Sequence, residues 1–173
     1  DTPLEGVTIT CAGNSNTATT DNLGRFAFSV AGTGTYDLTA AMDGYTYAQR
    51  RVAIADAAHR LAAVKDMFLT PLDSAVITVG PSGGSGTNSD GSIQLQVPAG
   101  ALNDTVGMRA TWYQRGKDLP NDLPELSHFT FACELTPDMS FNAPVTVRME
   151  NTRGFAPGTP IPVGVYNPDT LQW

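Results

Sequence analysis

Apolar and polar residues alternate with a period of two in short runs along the chain. The first are Val7-Thr8-Ile9-Thr10-Cys11, Phe26-Ala27-Phe28-Ser29-Val30 and Tyr36-Asp37-Leu38-Thr39-Ala40. Successive side chains of a strand point to opposite faces, so each run predicts a half-buried β-strand. Between them stand Gly13-Asn14-Ser15-Asn16, Asp21-Asn22-Leu23-Gly24 and Gly32-Thr33-Gly34. These read as turns, with Gly supplying positive φ and Asn or Asp bonding locally to the backbone. Residues 53–64 are Ala-rich and have the propensity of a short helix. Flanked by Arg51-Val52 and by residues 65–72, they are read instead as two strands around a turn, tertiary packing overriding a weak local preference.

Past Leu69 a proline, Pro71, ends the run, and a boundary is expected at residues 72–75. Beyond it, residues 76–79, 93–97, 106–113, 129–135, 144–149 and 161–166 read as strands, and residues 80–86 as a Gly/Ser loop. The expected cores hold Phe26, Phe28, Tyr36 and Leu38 in the first half, and Leu95, Val97, Phe129, Phe131 and Val147 in the second. The predicted fold class is therefore all-β: two tandem antiparallel β-sandwich domains, residues 1–73 and 74–173. The junction has few Gly, Ser or Pro residues, so the two are expected to dock rigidly rather than hang on a tether.

Composition fits many short strands joined by turns, with 17 Gly and 12 Pro spread over 173 residues. Ten Lys plus Arg against seventeen Asp plus Glu give a net charge of −7, which repels a phosphate backbone. The basic residues are dispersed apart from Arg50-Arg51, so no nucleic-acid stripe and no anionic-membrane patch is drawn. No apolar run approaches the roughly 18 residues of a spanning helix. A start at Asp1 without a leader reads as a segment of a longer secreted or cell-surface protein, targeted by a signal elsewhere.

Cys11 and Cys133 each fall in phase with the apolar face of a strand, so each is expected in the core of its own sandwich. A disulfide would require their Cα atoms to come within about 7 Å. His59 and His128 are isolated from each other and from both thiols, without zinc-ligand spacing, and no cofactor is implied. Asp21, Asn22 and Asp90 have the chemistry of calcium ligands at loop tips, but turn capping explains them. Residues 115–127 gather Asp118, Asp122 and Glu125 with two prolines. Without an apolar setting to raise a carboxyl pKa, they read as a solvated loop rather than an acid/base pair. No G-x-S-x-G elbow, phosphate loop or H-E-x-x-H sequence occurs, so no catalytic residue is assigned. Asn103-Asp104-Thr105 is a glycosylation sequon, a three-residue pattern too short to be informative.

Four segments carry a resemblance of the first half to the transthyretin-like, carboxypeptidase regulatory-like domain. They are Pro3-Leu4-Glu5-Gly6-Val7-Thr8-Ile9, Thr20-Asp21-Asn22-Leu23-Gly24-Arg25-Phe26, Gly34-Thr35-Tyr36-Asp37-Leu38 and Asp43-Gly44-Tyr45. The resemblance implies a spacer or adhesive module without catalysis. The second half resembles the β-sandwich of ankyrins and netrin receptors through Asp90-Gly91-Ser92-Ile93-Gln94-Leu95-Gln96-Val97-Pro98-Ala99-Gly100-Ala101-Leu102, through Phe141-Asn142-Ala143-Pro144-Val145-Thr146-Val147, and through residues 158–166, closed by Trp173. The order of the two is similar to the region preceding the shell of Rhs-type, YD-repeat and teneurin-like proteins. Other domains of the same polypeptide are the implied partners, with a protein or carbohydrate ligand as an adhesion alternative. Trp112, Tyr113 and Tyr47 are the aromatics such a surface would use.

The second resemblance also implies a competing activity. Members of that sandwich family cleave themselves between Phe and Ser of a His-Phe-Ser sequence, and His128-Phe129-Thr130 offers a hydroxyl in the same place. The chemistry would need a strained Phe129–Thr130 peptide, attack by the Thr130 hydroxyl and His128 as base. An ordinary core strand explains the same residues.

Overall fold

The computed structural model describes residues 1–27, 29–56 and 62–173. Ten strands and a single 3-10 turn, Gly116–Asp118, make up the regular structure of these residues, so the fold is an all-β sandwich class built from antiparallel sheets. The chain divides into two compact units that are not contiguous in sequence. The first comprises Asp1–Thr70, Gly116–Ser127 and Gly164–Trp173; the second comprises Pro71–Arg115 and His128–Val163.

The first unit has one sheet in the order β2-β1-β3-β4, formed by β1 (Thr8–Cys11), β2 (Asn14–Thr19), β3 (Gly34–Ala41) and β4 (Ala48–Ile54). Pairing of Ile9 with Ala40 and with Ala18, and of Cys11 with Leu38, puts these side chains on one face. Val7, Ile9, Cys11, Leu38 and Ala40 are buried there as one cluster. Thr8, Thr10, Asp37 and Thr39 take the other face, as alternation requires.

The cover over the apolar face is irregular chain. Phe26 and Val30 pack on the cluster, yet no strand forms around them, contrary to the sequence reading. The reason lies upstream: the Asp21 carboxylate accepts the amides of Leu23 and Arg25, holding the chain in a capped turn. Val64, Met67 and Leu69 supply the rest of the cover, again without a strand. That segment is pinned at its end, where the Thr46 amide donates to Thr70 O and the Thr70 amide to Thr46 Oγ1. β4 accounts for the first of the two strands expected over residues 53–64, while the turn and most of the second fall on residues 57–61, and residues 62–69 form no strand. Phe28 and residues 57–61, including His59, lie outside the described residues. The turn expected at residues 13–16 shrinks to Ala12 and Gly13, since β2 begins at Asn14.

The second unit faces two three-stranded sheets on each other. One has the order β10-β7-β6, with β6 (Gly84–Thr87), β7 (Ile93–Val97) and β10 (Thr146–Met149). The other has β5-β8-β9, with β5 (Ile77–Val79), β8 (Val106–Trp112) and β9 (Cys133–Thr136). Ile77, Val79, Leu95, Val97 and Met108 form the shared core, closed by Ala101 and Leu102.

Four sequence expectations fail here. The Gly/Ser loop of residues 80–86 contains strand β6, whose glycines let it lie directly on β5. The strand expected from Phe129 begins only at Cys133, because Trp112 pairs with Cys133 and β8 ends there, leaving Phe129 and Phe131 no ladder partner. Both are half-buried, Phe131 meeting the Trp112 ring edge-on at 6.1 Å. Val147 sits opposite the fully buried Leu95 but is 37% exposed, since β10 is an edge strand with one neighbour. Residues 161–166 form no strand; Pro160 and Pro162 lack the amides that a ladder needs on one side.

Candidate functional site

One residue in the first sheet breaks the alternation. Arg50 pairs with Leu38, so its side chain enters the apolar face, in phase with Ala48 and Val52, and it is only 5% exposed. A buried guanidinium is tolerated when its donors are used. Nη1 donates to Gln49 O at 2.7 Å and to Pro120 O at 3.1 Å, and Nη2 to Asp66 O at 3.1 Å, while Nε has no partner among the described residues. Burial draws the Arg50 pKa below its ordinary value, opposed by the nearby Asp122, Tyr166 and Asp66.

Arg50 therefore ties residues 116–122 to the outer strand of the sheet. Beside it the Gln49 amide donates to Pro120 O at 2.6 Å. Around this link Lys65 pairs with Asp122, the Trp173 indole donates to Asp122 O, Asn121 donates to Leu171 O, and the Tyr166 hydroxyl donates to Gln49 Oε1. The Asp122 carboxyl is held below its ordinary pKa, chiefly by the Lys65 hydrogen bond. Residues 115–127 are solvated only in part: Asp118, Leu119 and Pro120 are buried, whereas Arg115, Lys117, Asp122 and residues 124–127 are exposed. The loop's three carboxylates have separate surroundings, Asp118 interior, Asp122 on Lys65 and Glu125 exposed.

Because the Gln49 amide points away from β3, so do the amides of Arg51 and Ala53 in the unbroken register of β4. Neither has a partner among the described residues. They face an open groove of about 660 Å³ lined by residues 50–55, by Ala62, Ala63 and Lys65, and by Asn121 and Asp122. A second cavity of about 600 Å³ lies over the apolar face, between Phe26, Val30, Tyr36 and Leu38; Val52, Ile54 and Ala62 line both.

The other sequence-derived positions are engaged in holding the fold. Asp21 caps its turn and pairs with Arg25, and Asp90 accepts the Ser92 amide; hydrogen bonds, chiefly from the Arg25 side chain to Asp21 and from the Ser92 side chain to Asp90, hold both carboxyls below their ordinary pKa. Asn22 is exposed in the first of these turns. No group of three His, Cys, Asp or Glu gathers among the described residues. Cys11 and Cys133 are free thiols, and burial pushes Cys133 up to about 11. His128 is exposed, Phe129 and Thr130 are half-buried, and none of the three has positive φ. Tyr113 is buried, Trp112 and Tyr47 half-buried, so the aromatics expected of an adhesive surface do not make a flat exposed platform.

Tyr113 instead donates its hydroxyl to Glu134 Oε2 at 3.1 Å inside the second unit. Burial raises the Glu134 pKa above its ordinary 4.5, Tyr113 partly opposing and Asp138 assisting. Between the unfolded and the raised folded value the native unit holds the extra proton, so its stability falls as pH rises through that window and stays lower above it. Glu134→Gln, which removes the titration and keeps an acceptor for Tyr113, is expected to abolish this decline and to raise stability at pH 7. Urea unfolding at pH 4 and pH 7 checks it; equal pH dependence in both proteins would refute it.

Residues 1–70 match the carboxypeptidase regulatory-like domain family, a generic non-catalytic β-sandwich module. No curated protein and no solved structure gives a significant match. No helix among the described residues is long and apolar enough to cross a membrane.

Proposed function

We propose that the chain is a non-catalytic structural and interaction module of a larger secreted or cell-surface protein. The match of residues 1–70 to a domain family without catalytic chemistry carries this reading. It is supported by the way the charged groups are used: Asp37 on Arg51, Asp122 on Lys65 and Arg50 on backbone carbonyls stitch strands and segments together rather than converge on a reacting centre. The second unit adds support for an ankyrin/netrin-receptor-type sandwich. Its motif Val97-Pro98-Ala99-Gly100-Ala101-Leu102 turns tightly, Ala101 N donating to Pro98 O, and delivers Ala101 and Leu102 into the core. Other domains of the parent polypeptide are its partners, and a place ahead of a YD-repeat shell fits the order of the two units.

Self-cleavage at Phe129–Thr130 is the activity that would overturn this reading. The purified chain is expected to remain a single band of 18.2 kDa on prolonged incubation from pH 5 to pH 9, indistinguishable from Thr130→Ala. Fragments ending at Phe129 that disappear in Thr130→Ala would establish autoprocessing instead.

A further inference from the structure

The outermost strand of a sheet presents a row of backbone groups that folded proteins either pair or guard. In the second unit β5 and β6 lie against each other, which leaves β9 and β10 as the outer strands. All of Cys133–Thr136 in β9 are half-buried, whereas Thr146, Val147 and Arg148 of β10 are exposed, so the open edge is that of β10. The Glu150 amide donates to Ser92 O. In the unbroken register of β10 the amides of Thr146 and Arg148 therefore also point to β7, and those of Val147 and Met149 point away. Neither outward amide has a partner among the described residues. Val147 and Met149 also stand opposite the buried Leu95 and Ile93, so their side chains lie on the core face. Outward amides and core-facing apolar side chains thus belong to the same residues. Arg148, the one charge on the strand, lies on the other face, bonded to Gln94, and does not guard this edge.

The chain carries an unpaired segment with the same coincidence. Ile161-Pro162-Val163-Gly164-Val165 is uncharged, and Ile161, Val163 and Val165 are 38%, 88% and 81% exposed. When such a segment is extended, these three residues share one face for their side chains and one edge for their amides, while Pro160 and Pro162 fall on the opposite edge. In a hydrogen-bonded antiparallel pair the two side chains lie on the same face. A strand paired through the amides of Ile161 and Val163 to those of Val147 and Met149 therefore turns its apolar side chains to the core face, and no pairing amide falls on a proline.

We propose that a second copy of the chain docks on the β10 edge, donating residues 161–165 as an added antiparallel strand with Val163 opposite Val147 and Ile161 opposite Met149. In one chain the segment is unpaired and the edge empty, so both halves of the contact are open to another copy. The donated strand extends the apolar face over Val147, which is 37% exposed. Pro160 and Pro162 become the new outer edge, where their missing amides stop a further strand. The contact joins two different surfaces, so it closes as a reciprocal dimer or extends head to tail. It rests on the interaction-module reading and names its partner, and it fails independently of the gel assay, because a chain can be uncleaved and monomeric.

Sedimentation equilibrium and light scattering up to about 1 mM chain test it. The mass is expected to rise with concentration from 18.2 kDa to at least twofold. Val147→Asp puts a charge on the core side of the edge and Val163→Asp puts one on the donor; each alone should stay monomeric. An equimolar mixture of the two should recover a 1:1 complex through the one contact in which donor and edge are both intact. Where circular dichroism shows that Val147→Asp perturbs the fold, Met149→Pro replaces it, removing an outward amide while sparing the β7 ladder. A wild type that stays monomeric overturns the proposal, and slow amide exchange at Val163 in that monomer would assign the segment to its own chain. Association that survives both variants, or a mixture that does not recover the complex, overturns it as well.

Discussion

Gly83→Ala is expected to destabilise the second unit by about 3 kcal/mol, a large fraction of a small domain's stability. Two costs combine at this position. Gly83 has φ +82°, where a Cβ is strained by about 1–2 kcal/mol, and that Cβ would stand 2.6 Å from Val97 O and 2.9 Å from the Ala99 amide nitrogen, both backbone atoms with little room to retreat. Two neighbouring glycines separate these costs. At Gly91, φ +79° with nothing within 4 Å, alanine should cost only the conformational part, about 1 kcal/mol. At Gly86, where φ is ordinary, the added methyl meets Ile77 Cγ2 at 2.9 Å and should cost about 1–3 kcal/mol by overpacking alone. Trp112 lies in the second unit and Trp173 in the first, so denaturant unfolding followed in a Trp173→Phe background reads the second unit directly. A loss at Gly83 no larger than at Gly91 would show that the close approach of β6 and β7 is not what the glycines are for.

Those glycines also mark where the sequence could be read and where it could not. β7 was legible to the residue, because Ile93, Leu95 and Val97 alternate with Gln and all three are buried. β1 and β3 were legible for the same reason. β6, with the sequence Gly-Ser-Gly-Thr, has no apolar periodicity, since its packing consists of absent side chains that admit Ile77 and Val79. β2, Asn-Ser-Asn-Thr-Ala-Thr, is a polar edge strand held by its ladder to β1, and its only patterned residue is Ala18. The errors of the opposite kind, at Phe26, Phe129 and Ile161, share a cause: alternation reports which side chains are apolar, not whether a neighbouring backbone is available to pair. Of the candidate site, the one available signal was the phase of Arg50, in register with Ala48, Val52 and Ile54. Its carbonyl partners come from residues 66 and 120, which no local pattern connects to β4.

Arg50→Ala should cost the first unit about 2–4 kcal/mol, because it empties a buried volume and strips donors from the Gln49 and Asp66 carbonyls, while Pro120 O keeps the Gln49 amide. Arg50→Met should cost less, since it restores the volume and removes a buried charge that, among the described residues, has no direct carboxylate partner and leaves Nε unbonded. Arg51→Ala provides the contrast one residue away. Its ion pair with Asp37 lies on the polar face with the Arg side chain 49% exposed, so it is worth at most about 1 kcal/mol and fades at high salt. The Arg50 effect should persist in 1 M salt, because it arises from short bonds to neutral carbonyls in a water-poor site. Loosening of the segment it holds gives a second readout. Asp122 takes the Trp173 indole, so Arg50→Ala should shift Trp173 emission to the red and open residues 116–127 to protease before the sheet unfolds. Equal losses for Arg50→Ala and Arg51→Ala, with that segment still protected, would mean that the Gln49–Pro120 backbone bond and the Lys65–Asp122 pair hold it without the buried guanidinium.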